Sequence, residues 1–176
     1  MTEGTKDAMI LISTSWQALG RTNQCKPETL ICDCTIVILF ASFFIEANLN
    51  YIVETLNMKK EMTEFLNNNQ YPGLKDKLAW FYNEFIASDK ALTKKELYSK
   101  GIKSKLTKRY PGFSTLYQFR NDLSHGVINS TARSLPKVVK LRQQAKDIVE
   151  DLFIVTARAG YVIARDKTYQ EAIQQI

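Results

Sequence analysis

The chain of 176 residues holds one histidine, three cysteines, four prolines and seven glycines. Each scarcity narrows what it can do. One imidazole cannot build a histidine-rich metal centre, and a reaction needing an imidazole base and an imidazole acid must take the second from another copy of the chain. Cys25, Cys32 and Cys34 are odd in number and close together, with no second cluster of ligands. They are expected as reduced, mostly buried thiols and not as a zinc site, which takes four ligands. No metal and no cofactor is implied. So little proline and glycine leaves long stretches open to helix, and the expected fold class is all-α.

A secretory leader is also missing, because Thr2 to Asp7 is polar and Ala8 to Leu19 is broken by Ser, Thr and Gln. Together with the thiols this makes a cytoplasmic protein the expectation. The strongest apolar run, Ile36 to Ile45, is crowded by Asp33, Glu46, Asn48 and Asn50. A bilayer span needs about 20 apolar residues, so the run is expected as a buried central helix, with no membrane partner.

Apolar residues at 45% and charged residues at 24% suit a single core, and residues 1–176 are read as one domain. The net charge of +6 fits a polyanionic partner without requiring one. Eight of the 24 basic residues, Lys90, Lys94, Lys95, Lys100, Lys103, Lys105, Lys108 and Arg109, fall in one stretch against Glu96 alone. They form either a solvated helix surface or a track for an RNA backbone, with Lys103, Lys105, Lys108 and Arg109 nearest the motif described below.

In chain order, Asp7 to Leu19 is expected as a first helix. Pro27-Glu28-Thr29 then opens the apolar stretch to about Met58, Leu74 to Ile86 is an aromatic-rich helix, and Leu135-Pro136 starts a last long one with Val138, Val139, Leu141, Ile148, Leu152, Phe153, Val155 and Val162 on its apolar side. Within the central helix, Thr35, Ser42, Glu46, Asn50 and Asn57 fall on one line about 80° wide. Either that line faces solvent, or it lies under another helix and brings Glu46 or Asn50 to a site.

The most telling stretch is Tyr117 to Gly126, which contains the lone histidine. At about 100° per residue, Leu116, Phe119, Leu123 and Val127 share an arc of about 80° that belongs against a core. Arg120, Ser124, Tyr117, Asn121 and His125 fan out on one flank, about 40°, 80°, 100°, 140° and 180° from Leu116. A cation, two hydroxyls, an amide and an imidazole are the groups a phosphate needs around it. Ser114, after the turn Tyr110-Pro111-Gly112, is expected as the N-cap, and Gly126 as the left-handed residue past the helix end.

Arg120-Asn121-Asp122-Leu123-Ser124-His125 resembles the Arg-x4-6-His signature of the HEPN superfamily (higher eukaryotes and prokaryotes nucleotide-binding domain). The resemblance implies a HEPN-like helical bundle, here built on the long central apolar helix, and a homodimer. Active members are metal-independent endoribonucleases, many of them toxins or defence proteins. RNA would be the substrate and, for a toxin, a cognate antitoxin protein a further partner. Arg120 would clamp the phosphate, His125 would act as base or acid, and Asn121 would position the substrate, with Glu46, Asn50, Tyr117 and Ser124 in support. An ideal helix sets Arg120 and His125 about 140° apart. Either the helix loosens between Ser124 and Gly126, or the two serve sites shared between protomers. The alternative is a non-catalytic module of the same type that binds nucleic acid, a nucleotide or a partner protein. A purely structural dimerisation domain is the third.

Overall fold

The computed structural model describes residues 14, 30–67, 72–87, 106, 108–127 and 133–163. Of the helix expected at 7–19 only Thr14 is among them, in helical conformation. Cys25, the basic residues from Lys90 to Lys105 and the tail past Asp166 lie outside the described residues. Among those described, every regular element is helical: α1 (Leu30–Thr55), α2 (Lys59–Phe65), α3 (Leu74–Phe85), α4 (Phe113–Ser124) and α5 (Leu135–Arg158).

The nearly unbroken apolar run becomes α1, and α1 packs against α3, α4 and α5. A helix apolar on almost every side lowers its free energy by being surrounded. Ile38, Phe44, Ile45, Leu49 and Ile52 are accordingly in the interior. By length and composition α1 is long enough to cross a membrane, but about two-thirds of its most apolar window is buried within this protein. Asn57 ends it at φ 55°, with its N–H bonded to the Glu54 carbonyl and that of Met58 to the Val53 carbonyl. That is the left-handed stop that Asn tolerates better than most residues. Part of α1 stays uncovered: Ile36 and Phe43 are exposed, and Phe40 packs edge-on against Phe43 at 6.1 Å. Cys34 is buried, whereas Cys32 is exposed, contrary to the expectation of mostly buried thiols.

The polar line on α1 does not face water as a whole. Ser42 is fully buried, and its hydroxyl donates to the Ile38 carbonyl at 3.1 Å and, more weakly, to that of Leu116 in α4 at 3.4 Å. Glu46 and Asn50 are half-buried, and only Asn57, past the helix end, is exposed. The solvent-facing reading is therefore corrected for the middle of the line: Ser42 and Glu46 meet α4.

The aromatic rings of α3 serve the core, with Trp80 and Phe81 buried and Phe85 against both. On α5 the expected face is shifted. Val138, Leu141, Ile148, Leu152, Phe153 and Val155 are buried, but Val139 is exposed and Val162, beyond the helix, is 93% exposed. Arg142, Ala145, Val149 and Thr156 take the remaining inward positions. Ala145, Thr156 and Arg142 were passed over because a hydrophobic pattern weighs large apolar side chains.

Helix α4 begins at Phe113 with Gly112, not Ser114, as its N-cap. Burial of Phe113 draws that residue into the helix, so Ser114 falls inside the first turn. Gly112 is required for space, since its φ of −83° suits any residue. A Cβ there would overlap the side-chain amide of Gln144 on α5 and come within 2.9 Å of its Cβ. Gly112→Ala is expected to cost about 1–3 kcal/mol in urea unfolding. Adding Gln144→Ala should recover only part, because that change removes the amide and keeps the Cβ; unchanged stability of the single variant would refute a tight crossing.

Candidate functional site

The inner edge of α4 is fixed by Leu116 and Phe119, both fully buried, while Leu123 is half-buried and Val127, expected to continue the stripe, is 54% exposed. The stripe fades because the helix stops. His125 is the C-cap at φ −101° and ψ 12°, and Gly126 follows at φ 73°. The Gly126 N–H bonds the Leu123 carbonyl at 3.0 Å and the Val127 N–H bonds the Asp122 carbonyl at 2.8 Å. This pair of bonds closes the helix with backbone alone and needs a residue free to adopt positive φ.

His125 is thus anchored by its backbone, whose N–H reaches the carbonyls of Asn121 and Asp122 at 3.2 and 3.1 Å, while its side chain is exposed. Among the described residues the imidazole has no hydrogen bond, including none to Arg120. Asn121 is half-buried, Ser124 donates its hydroxyl back to the Arg120 carbonyl at 2.9 Å, and Tyr117 stacks at a tilt on Phe113 with ring centroids 6.0 Å apart. The last two contacts are structural.

Arg120 turns the other way, into the bundle. Its Nη2 lies 3.1 Å from Oε2 of Glu46 on α1. The other oxygen of that carboxylate, Oε1, accepts from Nζ of Lys77 on α3 at 2.8 Å. Three helices therefore meet in one cluster of two cations and one anion, and the side chains of Lys77, Glu46 and Arg120 are only 12%, 19% and 27% exposed. Asn50, one turn beyond Glu46, is half-buried. Lys77 went unnoticed in the sequence although a signal was there. Leu74, Lys77, Leu78 and Phe81 share one helical face, and a lysine within an apolar stripe needs an anion to meet it.

A second polar cluster occupies the N-terminal end of α4. Arg109 grips Asp151 of α5 through Nε and Nη2 at 2.8 and 2.7 Å, and the Tyr110 hydroxyl donates to the same carboxylate at 2.6 Å. Beside them lies a cleft of about 310 Å³ that Pro111, Gln144 and Ile148 also line. Arg109, expected on an RNA track, is committed to Asp151, whereas Lys108 is exposed. Both lie at the far end of α4 from His125, about 18 Å away for twelve residues at 1.5 Å each. Lys103 and Lys105 are outside the described residues.

Burial first, and then the bond to Asp151, push the Tyr110 phenol well above its ordinary value of about 10. A group whose acid form is favoured by folding contributes fully below its unfolded value, and that contribution is lost as pH rises past it. Stability should therefore fall above about pH 10. In a 295 nm absorbance titration one of the eight tyrosines should stay un-ionised until the protein unfolds. Asp151→Asn should bring that tyrosine only part of the way back, since burial persists. Eight tyrosines titrating together in the folded protein would contradict this.

The chain has no match among models of protein families, among curated proteins or among solved structures, so the reading of this site rests on its own residues and geometry.

Proposed function

We propose that the protein is a metal-independent endoribonuclease of the toxin or defence type, acting in the cytoplasm as a homodimer with a composite site. One observation carries the reading: α4 ends in an exposed imidazole, while five residues earlier an arginine is held by a carboxylate from the central helix. Within one chain His125 and Arg120 do not bond, which favours sites shared between protomers. The exposed Ile36 and Phe43 on α1 offer an apolar face for the second copy.

In this mechanism one His125 takes the proton from a ribose 2′-hydroxyl, the 2′-oxygen attacks phosphorus, and the bond from phosphorus to the 5′-oxygen breaks. The partner's His125 returns a proton to that 5′-oxygen. Arg120 offsets the charge that builds on the phosphorane, and Asn121 positions the strand. The products are a 2′,3′-cyclic phosphate and a 5′-hydroxyl. Incubation of the purified protein with labelled RNA in EDTA tests this, and cleavage with cyclic-phosphate ends is the expected result. A dimer that retains RNA without cutting it would support the second reading, a binding module for nucleic acid, nucleotide or partner protein. That reading draws on the same lack of contact between His125 and Arg120. For a toxin, a cognate antitoxin protein would be the further partner.

A further inference from the structure

From Leu123 to Lys146 the chain carries five basic residues and no acid. Arg142 is buried and Lys146 half-buried, whereas Arg133, Lys137 and Lys140 are exposed. Lys137 and Lys140 lie about 60° apart around α5 and less than one turn apart along it. Both line a cleft of about 430 Å³ between α5 and the start of α4, together with Thr115, Leu141 and Gln144. Among the described residues no carboxylate lines this cleft, and neither ammonium has an ion pair. The neighbouring cleft differs, because Asp147 and Asp151 line it and Arg109 is already met by Asp151. The uncompensated positive charge between α4 and α5 therefore sits at Lys137 and Lys140.

The order of contacts sets the direction of the groove. Tyr110 bonds Asp151, Gly112 abuts Gln144, and Thr115 shares the cleft with Lys137 and Lys140. Helix α4 thus runs back along α5, and each step toward His125 is a step toward the start of α5. Thr115, Gln118, Asp122 and His125 fall within about 80° of each other on α4, which puts His125 on the side of Thr115, ten residues or about 15 Å farther on. Asp122 is on that side too, where its Oδ1 accepts from Gln118 at 2.7 Å. A polyanion in the groove is repelled by α4 there and attracted by α5.

We propose that the groove between α4 and α5 is where an RNA strand lies beside His125, with Lys137 and Lys140 holding its backbone phosphates. An ammonium on a flexible stem suits a backbone that presents phosphates without one fixed geometry. Contacts of this kind place the strand and carry no base sequence, so the groove supplies affinity and register, and the chemistry stays at the end of α4. The inference rests on the nuclease reading for its choice of RNA, but it concerns binding alone and is tested on RNA that cannot be cut.

The probe is a fluorescently labelled single-stranded RNA, 2′-O-methylated throughout so that no 2′-oxygen can attack, titrated into the full chain and followed by anisotropy. The native protein should bind it. The double variant Lys137→Gln, Lys140→Gln should raise the Kd about tenfold at low salt and lower the slope of log K against log salt by about 0.7 for each phosphate the pair meets. Thr115→Glu, which sets a carboxylate among the lysines, should also weaken binding, and Thr115→Gln should not. Lys59→Gln, Lys60→Gln removes two charges from α2, just past the end of α1, where Tyr51 packs on Phe153. Phe153 is about 24 Å along α5 from Lys137, well beyond the screening length of about 10 Å, so that variant should bind as the native protein does. All five positions are exposed, and the substitutions leave the core untouched. Equal losses in the two double variants would reduce the effect to overall charge and overturn the proposal. An unchanged Kd and slope in Lys137→Gln, Lys140→Gln would overturn it too, as would a native protein that does not bind the RNA. If binding behaves as expected and unmodified RNA is not cut in EDTA, the nuclease reading fails and the groove stands. If unmodified RNA is cut while binding ignores Lys137 and Lys140, the nuclease reading stands and the groove fails.

Discussion

His125→Ala is expected, on the proposed nuclease reading, to lower RNA cleavage in EDTA by about 100-fold or more, the usual contribution of one positioned acid or base, while changing stability by no more than about 0.5 kcal/mol. The two magnitudes separate because of how α4 ends. Its last carbonyls are bonded by the N–H groups of His125, Gly126 and Val127, and none of these bonds uses the imidazole. The side chain is exposed, so its removal leaves neither a cavity nor an orphaned partner. Cleavage assays paired with urea unfolding check both halves. A variant with full activity would remove His125 from the chemistry, and one that loses several kcal/mol would mean that the imidazole holds the fold.

Phe119→Ala should have the largest effect on stability, about 3–5 kcal/mol out of a typical total of about 5–15 kcal/mol. Phe119 is fully buried on the inner edge of α4, which contacts both α1 and α5. Truncation leaves a ring-sized void among side chains that cannot all collapse into it. Urea denaturation would show a midpoint lowered by one molar or more, about what that loss gives at 1–3 kcal/mol per molar. Phe119→Leu, which keeps most of the volume, should cost less than half as much. Because Arg120 is the next residue, the Ala variant should also lose the ion pair to Glu46. A cost below about 1 kcal/mol would mean that α4 is held to the bundle by other residues.

Those two residues also mark how much of the molecule was legible in its sequence. Leu116 and Phe119 announce a buried edge because large apolar side chains recur at helical spacing, and Gly126 announces a stop because few other residues adopt its φ. The central helix is legible from its run of apolar residues. What depends on two segments meeting was not legible. The line through Ser42 and Glu46 looks the same in a sequence whether water or α4 covers it. Lys77 within its apolar stripe signals that an anion must meet it, but not that the anion is Glu46. The need for glycine at 112 comes from Gln144, and Arg109 looks available until Asp151 arrives from α5. Side chains that satisfy each other across helices leave no periodic trace.

The cluster at Glu46 has a consequence for the chain as it is made. Lys77 follows Glu46 by 31 residues and Arg120 comes later still, so no partly synthesised chain lacking α4 contains the assembled group. Contacts this distant along the chain form late in folding, after the loops between them have closed. The arginine is therefore set in place only when α1, α3 and α4 have come together. A ribosome-bound or misfolded copy carries Arg120 and His125 without the arrangement, and on the proposed reading completion of the fold is itself the step that arms the site.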